Sequence, residues 1–325
     1  MSDDEVDTEL LELLRQHLQG KVEIQDEPET GVLQSAEHVY DSCIDVAVDM
    51  RASKKAAENI YNQMQQKSYS TATWSEHELH PKAKDESTVN FIFTMDLLNF
   101  SFWSELPDDE RFAIEYRGKK WTGYWSLVAA LQRALDENCL REAGQVLCKY
   151  YDGAVTELVY AADGSAARLV NLLAQDFNCF RDEHRYEDGK MIRLMKRAQI
   201  LVADLWACFN GESYGEFRDI DKITMFADYR IPQILMTMGA LYCSPSIAAA
   251  INDKKMIESG CAWELQIRAC SIWCVELIRR EILRQHPGAH VNAILIDFFL
   301  YDSMKELEAA GKEPIPHHRT RSIWY

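Results

Sequence analysis

A carboxylate set among aromatic residues is the feature of this sequence best suited to chemistry. It is Asp228, which lies between Phe226 and Tyr229-Arg230. Ile231-Pro232 follows, and because proline disfavours the α conformation in the residue before it, we expect a turn or the start of a helix here. Asp228 is then either the cap of that helix or an acid that faces a sugar while a planar base stacks on the neighbouring rings. Both interpretations are compatible with these residues.

Two more acids interrupt an otherwise apolar run at residues 291–302. A helix or strand that is apolar on all sides is buried, and a buried carboxylate without partners is costly or takes up a proton. Asp297 and Asp302 therefore need partners. An internal salt bridge or a helix cap is one interpretation, and contact with a ligand is the other.

Two basic side chains are further candidates. Lys196 opens an apolar helical pattern, where it is either the solvated end of a helix or a point charge for a single phosphate. His38 lies beside the apolar stripe of another predicted helix, and a lone helical histidine is most often structural.

Motifs for metals and nucleotide cofactors are absent. His77-Glu-Leu-His80 lacks the four-residue offset of an HExxH zinc site, and His317-His318 has no further ligands nearby. The sequence contains no GxGxxG motif, no Walker A loop and no GxSxG elbow. We expect neither a metal nor a cofactor.

Helical periodicity dominates the elements that must position these residues. Residues 68–88 are polar and predict a surface connection. A short β-hairpin is predicted near residues 112–124, because two alternating segments flank the turn sequence Arg117-Gly118-Lys119-Lys120. Helices are predicted over residues 36–48, 52–64, 125–149, 165–175, 190–208, 229–252 and 263–285.

The charge balance of the 325 residues is acidic. With 35 Lys and Arg against 52 Asp and Glu, the formal net charge is −17, and the first 30 residues supply −8 of it through ten acids and two bases. A protein that tracks a nucleic-acid backbone needs a basic face. We therefore expect a small-molecule partner and no polymeric nucleic acid, although a pocket for one phosphate is compatible with this charge.

The compartment and the domain organisation follow from composition. Nine cysteines without a CxxC pair indicate reduced thiols in a cytosolic protein. No signal peptide and no apolar run of 18 residues is evident, so we expect a soluble, cytoplasmic protein, with the nucleus as a second compartment and no membrane partner. The fold expected is mainly α: an acidic segment over residues 1–30 and one compact helical domain over residues 31–325.

Six stretches of the chain together resemble the queuosine salvage protein family, whose members are queuosine 5′-phosphate N-glycosylases/hydrolases. The resemblance runs from about residue 33 onward and leaves the acidic segment outside. The stretches are residues 91–103 (FIFTMDLLNFSFW), 116–125 (YRGKKWTGYW), 176–181 (DFNCFR), 196–201 (KRAQIL), 226–233 (FADYRIPQ) and 317–325 (HHRTRSIWY).

The resemblance implies a helical fold related to helix-hairpin-helix DNA glycosylases, and release of free queuine from queuosine 5′-phosphate. It also implies that Asp228 is catalytic and that Lys196 is a candidate for the 5′-phosphate. The residues that would contact the base are His38, Phe226, Asp297, Phe298 and Asp302. The glycine-rich hairpin of DNA glycosylases is missing, which favours a mononucleotide over duplex DNA.

This chemistry suits the residue types. Cleavage of an N-glycosidic bond develops oxocarbenium charge on the ribose, which a carboxylate such as Asp228 stabilises, attacks or supplies with an oriented water. A 7-deazaguanine has no N7 to protonate, so His38 or a protonated acid would have to activate the leaving base at another edge. Queuine carries a secondary ammonium and a cyclopentenediol, for which Asp297 and Asp302 are natural partners.

Two other function classes compete with this one. A DNA or RNA base-excision glycosylase shares the chemistry but needs a basic groove and a means to flip a base. A non-catalytic helical scaffold, whose acidic N-terminal segment docks partners, would leave the buried Asp297 unexplained.

Overall fold

The chain is mainly helical, as predicted, with three small sheets. The structure is a computed structural model, and it describes residues 27–71, 74, 77–100, 110, 113–116, 118–123, 125–128, 141–311 and 315–325. Its helices are α1 (Val32–Ser42), α2 (Met50–Gln66), α3 (Glu86–Leu97), α4 (Arg141–Tyr150), α5 (Val155–Ala161), α6 (Ala166–Asp176), α7 (Lys196–Cys208), α8 (Arg230–Thr237), α9 (Pro245–Asn252), α10 (Ala262–Gln285) and α11 (Ala293–Ala309).

The sheets are three antiparallel pairs of short strands. The strands are β1 (Val46–Val48), β2 (Ala113–Tyr116), β3 (Lys119–Thr122), β4 (Glu183–Arg185), β5 (Met191–Arg193) and β6 (Leu241–Cys243). β2 and β3 form the predicted hairpin, β4 pairs with β5, and β1 pairs with the distant β6. Phe112 and Tyr124, the ends of the predicted hairpin, lie outside the described residues.

The core is built around α10, the longest described helix at 24 residues. It packs against α1, α2, α8 and α11. Apolar residues line it on every turn, among them Leu265, Ala269, Ile272 and Val275, each with at most 1% of its surface exposed. Each fully buried side chain of Leu or Ile size contributes about 1.5–3 kcal/mol of hydrophobic stabilisation. α10 is therefore the central support for the loops that surround it.

Short polar side chains fix where several helices begin. Asp49 accepts a hydrogen bond from the amide of Ala52 at 2.7 Å at the start of α2. Asn292 does the same for Leu295 at 3.0 Å at the start of α11. A cap of this kind stabilises a helix by about 1 kcal/mol. The start of α11 matters because this helix carries three of the predicted site residues.

Three predicted helices are wrong in part, because long-range pairing overrides local periodicity. The helix predicted over residues 36–48 ends at Ser42, since residues 46–48 form β1 with β6. The helix predicted over 190–208 begins only at Lys196, because residues 191–193 pair with β4. The segment 229–252 divides into α8, β6 and α9, and Gly239, with φ of +70°, lies at the break after α8.

The predicted surface connection over residues 68–88 is also wrong in part. Leu79 and His80 in this segment are buried, and α3 begins at Glu86. The helices predicted over 52–64, 165–175 and 263–285 are confirmed as α2, α6 and α10. In 125–149, residues 125–128 are helical and α4 begins at Arg141, while 129–140 lie outside the described residues.

Two further findings concern the cysteines and the helices of the described residues. All the described cysteines carry free thiols. Within the part of the chain that the structure describes, no helix is both long enough and apolar enough to cross a membrane.

Candidate active site

The loop that precedes α8 carries Asp228. Oδ1 of this side chain accepts hydrogen bonds from the amides of Arg230 at 2.8 Å and Ile231 at 3.0 Å. One of its two oxygens therefore binds the first two amides of α8, as a capping side chain would, although the cap position itself is Tyr229. Oδ2 makes no hydrogen bond to a described residue, and the side chain is half-buried. One carboxylate oxygen thus fixes the geometry while the other is available for chemistry.

Asp297 in α11 lies close to this loop. Only 6% of its surface is exposed, and its Oδ2 accepts the amide hydrogen of Phe226 at 2.9 Å. Burial raises the pKa of Asp297 well above its usual range, and the charge of Asp228 raises it further. The Phe226 amide and the charge of Lys196 lower this pKa, but by less. It forms no salt bridge with a described residue. Asp297 is therefore a buried acid that favours its protonated form.

Lys196, the first residue of α7, belongs to the same group of charges. Its exposed fraction is 5%, which excludes the interpretation as a solvated helix end. Burial lowers the pKa of Lys196, and the charges of Arg197 and Arg268 lower it further. The charge of Asp228 acts in the opposite direction and raises this pKa. Its ammonium group therefore lies within the electrostatic field of Asp228 and, more weakly, of Asp297.

Aromatic side chains surround these acids. The rings of Phe226 and Phe298 have centroids 6.1 Å apart, and Phe226 is buried. Tyr229 is buried too, and burial raises its pKa to about 12. Burial also raises the pKa of Tyr301, with contributions from Tyr229 and Asp228. The surroundings of the acids are thus apolar and aromatic, as required for stacking a planar heterocycle.

Asp302 lies five residues further along α11 than Asp297, and it has a partner that the sequence did not indicate. The hydroxyl of Tyr69 donates to its Oδ2 at 2.6 Å. The Tyr69 ring packs edge-on against Phe299, with 5.6 Å between centroids. Asp302 itself is exposed, so its second oxygen can meet a ligand. No local pattern identifies Tyr69, since it lies in a polar segment 233 residues away in sequence.

Two cationic side chains, Arg230 of α8 and Lys305 of α11, lie near the aromatic rings of the site. Arg230 pairs with Glu308, and its guanidinium lies 5.4 Å from the Tyr229 ring. Lys305 is exposed, with its ammonium group 4.4 Å from the Tyr301 ring. The charge of Arg230 is thus paired with Glu308, while Lys305 lies within the electrostatic field of Asp302.

Behind the loop, a buried arginine missed by the sequence analysis holds the backbone next to Asp228. Arg268 of α10 donates from Nε to the carbonyl of Ala227 at 2.8 Å. The same guanidinium binds both oxygens of Asp182, at 2.6 and 3.2 Å. The only signal for it is a cation within an apolar helical pattern, because a buried arginine must meet acceptors from elsewhere in the chain.

His38 is the one predicted site residue that the structure does not join to this group. Its Nε2 lies 2.6 Å from Oδ2 of Asp188, and its ring contacts Tyr186 edge-on. No described contact links it to Asp228 or Asp297. The structure does bring Asp228, Asp297, Lys196, Phe226 and Phe298 together, with Asp302 five residues beyond Asp297 on the same helix.

The histidines of the weak metal motifs have structural surroundings. His80 stacks on Trp74 at 4.0 Å, and its Nδ1 lies 2.6 Å from the Trp74 carbonyl oxygen. His77 stacks on Trp125. Among the described residues, no group of three or more His, Cys, Asp or Glu side chains is placed to hold a metal ion.

This arrangement offers a carboxylate with one unbound oxygen beside a carboxyl group that favours its proton. Pairs of acids in such unequal environments divide the roles of anion and proton donor between them. Burial among apolar and aromatic side chains strengthens the charge interactions of Asp297 and Lys196. These features suit cleavage of a bond between a sugar and a planar base.

Comparisons with known proteins identify the family of this chain. The model of the family described as "Queuosine salvage protein" matches residues 79–139 and 137–325. Three relatives carry the name queuosine 5′-phosphate N-glycosylase/hydrolase. They are from Schizosaccharomyces pombe (39% identical, covering 90% of this chain and 99% of the relative), Mus musculus (36%, covering 92% and 99%) and Sphaerobacter thermophilus (33%, covering 91% and 98%). The chain therefore belongs to the queuosine salvage protein family.

Proposed function

We propose that this chain hydrolyses the N-glycosidic bond of queuosine 5′-phosphate and releases free queuine for salvage into tRNA modification. The names of the relatives support this substrate and this reaction. The observation that carries the proposal is the unbound Oδ2 of Asp228 beside the buried carboxyl group of Asp297.

The sugar is the part of the substrate on which Asp228 acts. As the glycosidic bond breaks, positive charge develops on C1′ and the ring oxygen of the ribose. The Asp228 carboxylate stabilises that charge through Oδ2, and it either attacks C1′ or orients the water that does. Because Oδ1 is fixed by the amides of Arg230 and Ile231, the carboxylate needs no rearrangement when the charge appears.

The leaving base needs a proton that a 7-deazaguanine cannot take up at N7. Asp297 suits this step because burial and the charge of Asp228 raise its pKa, which favours the protonated form that can donate a hydrogen bond or a proton to another edge of the heterocycle. Phe226 and Phe298 flank the base. Asp302, which is exposed and hydrogen-bonded to Tyr69, binds the side arm with its ammonium and hydroxyl groups. His38 stays a candidate for contact with the base.

The 5′-phosphate is assigned to the cationic surroundings of Asp228. Lys196 is the candidate from the sequence, and its Nζ makes no hydrogen bond to a described residue. Lys305 adds positive charge near Asp302, whereas the charge of Arg230 is paired with Glu308. A single phosphate fits this limited charge, whereas the formal net charge of −17 opposes a polymeric nucleic acid.

The domain organisation, the independence of metals and cofactors, and the compartment are part of the same proposal. Residues 31–325 form one salvage-hydrolase domain, related in fold to helix-hairpin-helix DNA glycosylases, after an acidic segment over residues 1–30. The enzyme works without a metal or a cofactor, in the cytoplasm and in the nucleus as a second compartment, and has no membrane partner.

The test is release of queuine by the Asp228→Asn variant. The amide oxygen of asparagine can still accept the Arg230 and Ile231 amide hydrogens, so the fold is kept. Turnover of queuosine 5′-phosphate, followed by chromatography of free queuine, should fall by about 10³-fold or more. The matched control is Asp253→Asn, an exposed acid paired with Lys255, which should leave turnover unchanged. Near-normal turnover in Asp228→Asn would overturn the assignment.

A base-excision glycosylase predicts a different result. It would bind oligonucleotides with an affinity that falls steeply with salt. Binding of fluorescent single-stranded and duplex oligonucleotides across a salt series separates the two, and we expect no binding. A scaffold predicts no release of base from any nucleotide.

A further inference from the structure

The phenol of Tyr325 is buried behind the active site and binds a carboxylate there. Only 1% of the residue is exposed, and its hydroxyl donates to Oε1 of Glu264 at 2.7 Å. The phenol oxygen lies 3.0 Å from Nε2 of His318. Since the single phenol proton is used on Glu264, His318 must be the donor in this second bond. Burial lowers the pKa of His318 to about 3, so the ring is neutral and carries its proton on Nε2.

Glu264 connects this phenol to the guanidinium of Arg268. Its Oε1 accepts from Nη1 of Arg268 at 3.1 Å, while Oε2 accepts the amide hydrogen of Gly260 at 2.9 Å. The ring of Tyr325 also faces the guanidinium, with 4.9 Å between the ring centroid and the central carbon. Tyr325 therefore constrains Arg268 both through the carboxylate and through its ring.

Arg268 in turn holds two pieces of the site. Its Nε binds the carbonyl of Ala227, the residue before Asp228. Its other nitrogens bind Asp182, whose Oδ2 accepts the amide hydrogen of Lys196 at 3.3 Å. A shift of the guanidinium would thus move the Asp228 loop and the start of the helix that carries Lys196.

We propose that Tyr325 is a positioning residue for the hydrolysis, acting through Glu264 and Arg268 on the backbone at Ala227 and thereby on the Asp228 carboxylate. This inference rests on the proposed function. Tyr325 touches neither the Asp228 carboxylate nor Asp297, and its effect comes from holding the guanidinium in one orientation. Misplacement of a reacting group by about 1 Å can lower a rate by about 10²-fold.

The Tyr325→Phe variant tests this inference, because it removes the hydroxyl and keeps the ring against Arg268. We expect kcat to fall by about 10- to 100-fold while KM for queuosine 5′-phosphate stays within about twofold, since the ligand contacts are intact. The matched control is Tyr151→Phe. Tyr151 is also buried and also donates to a carboxylate, that of Asp176, but no described hydrogen bond joins it to the Asp228 loop. Its kcat should stay at the parent value.

Amide hydrogen exchange and a second variant distinguish a positioning role of Tyr325 from loss of fold and from failure of the proposed function. Amide hydrogen exchange over residues 226–231 should be faster in Tyr325→Phe than in Tyr151→Phe, whatever the substrate is. If the parent releases no queuine, the proposed function fails, and faster exchange would still support the positioning role. If Tyr325→Phe does not fold, Glu264→Gln takes its place, with the same expected loss of kcat. Equal kcat and equal exchange in the two phenylalanine variants would overturn the inference.

Discussion

The carboxylate of Asp297 and the backbone amide of Phe226 are joined by a hydrogen bond of 2.9 Å. This contact fastens the middle of α11 to the loop that carries Asp228, two residues further along. The charge of Asp228 raises the pKa of Asp297. The side chain of Asp297, through its hydrogen bond to Phe226, in turn holds the loop that keeps Asp228 nearby. The two acids therefore form one unit, and their protonation and the geometry of the loop are linked.

The stability of the protein should report the protonation of Asp297. Because burial and Asp228 raise its pKa, the folded chain holds this proton more tightly than the unfolded chain does. The free energy of unfolding is therefore expected to fall as the pH rises from the unfolded value, about 3.9, toward the raised folded value. Asp297→Asn removes this titration. In urea unfolding, the free energy of unfolding of the variant should therefore rise relative to that of the parent between pH 4 and pH 8. A difference that is constant with pH would contradict the assignment.

Lys196→Met distinguishes a role with the phosphate from a role with the acids. If Lys196 binds the 5′-phosphate, KM for queuosine 5′-phosphate should rise by about 10- to 100-fold, the loss expected for a charge-assisted hydrogen bond. Hydrolysis of the unphosphorylated nucleoside should change little, which makes it the control within the same variant. Steady-state kinetics on both substrates provide the measurement. Equal losses on the two would assign Lys196 to the charge of Asp228 instead.

Tyr69→Phe tests whether Asp302 meets the side arm of the base. Removal of the hydroxyl leaves Asp302 without its 2.6 Å hydrogen bond and free to rotate. KM for queuosine 5′-phosphate should rise by about tenfold, the value of one hydrogen bond to a charged group. A 7-deazaguanine nucleotide without the side arm should be hydrolysed as by the parent. Tyr160→Phe, which removes a hydroxyl from the exposed pair with Tyr214, is the control and should change neither substrate.

Local sequence predicted the position of Asp228 well and its surroundings poorly. The Ile231-Pro232 step identified the turn, and the apolar run around Asp297 identified a buried acid. The partners of these residues could not be predicted, because they come from distant segments. Tyr69 reaches Asp302 across 233 residues, and Arg268 meets Ala227 across 41. Neither contact leaves a periodic signal in the chain.

The fold shows the same limit. Helices with a regular apolar stripe, such as α2 and α10, were predicted within two residues of their ends. The segment at residues 46–48 was assigned to a helix because its apolar residues continue the stripe of α1. Its strand exists only because residues 241–243 supply the other half of the ladder. Propensity is a weak guide where tertiary pairing decides the backbone conformation.

Arg197→Met should be strongly destabilising, although Arg197 lies next to a site residue and not in the site. Its buried guanidinium donates to four backbone carbonyls, and the replacement removes all four of these hydrogen bonds. The free energy of unfolding should fall by about 3 kcal/mol or more. The carbonyls are those of Cys179 at 2.9 Å, Ile323 at 3.0 Å, Asp96 at 2.9 Å and Leu97.

The control for Arg197 is Arg218→Met. Arg218 is exposed and donates to the carbonyl of Asp163, so its loss should cost less than about 1 kcal/mol. Urea unfolding of both variants gives the comparison. Similar destabilisation in the two would mean that the buried carbonyls find water or other donors.

The pairing of β1 with β6 also determines when, during synthesis, the fold can close. β1 has no partner until about two hundred more residues have been made. The Asp228 loop waits longer still, for Arg268, Asp297 and Tyr325. Contacts between such distant segments slow folding, because loop closure must precede them. On the ribosome, the growing chain therefore exposes the apolar faces of its early helices to chaperones and acquires a nucleotide site only after residue 325 has emerged.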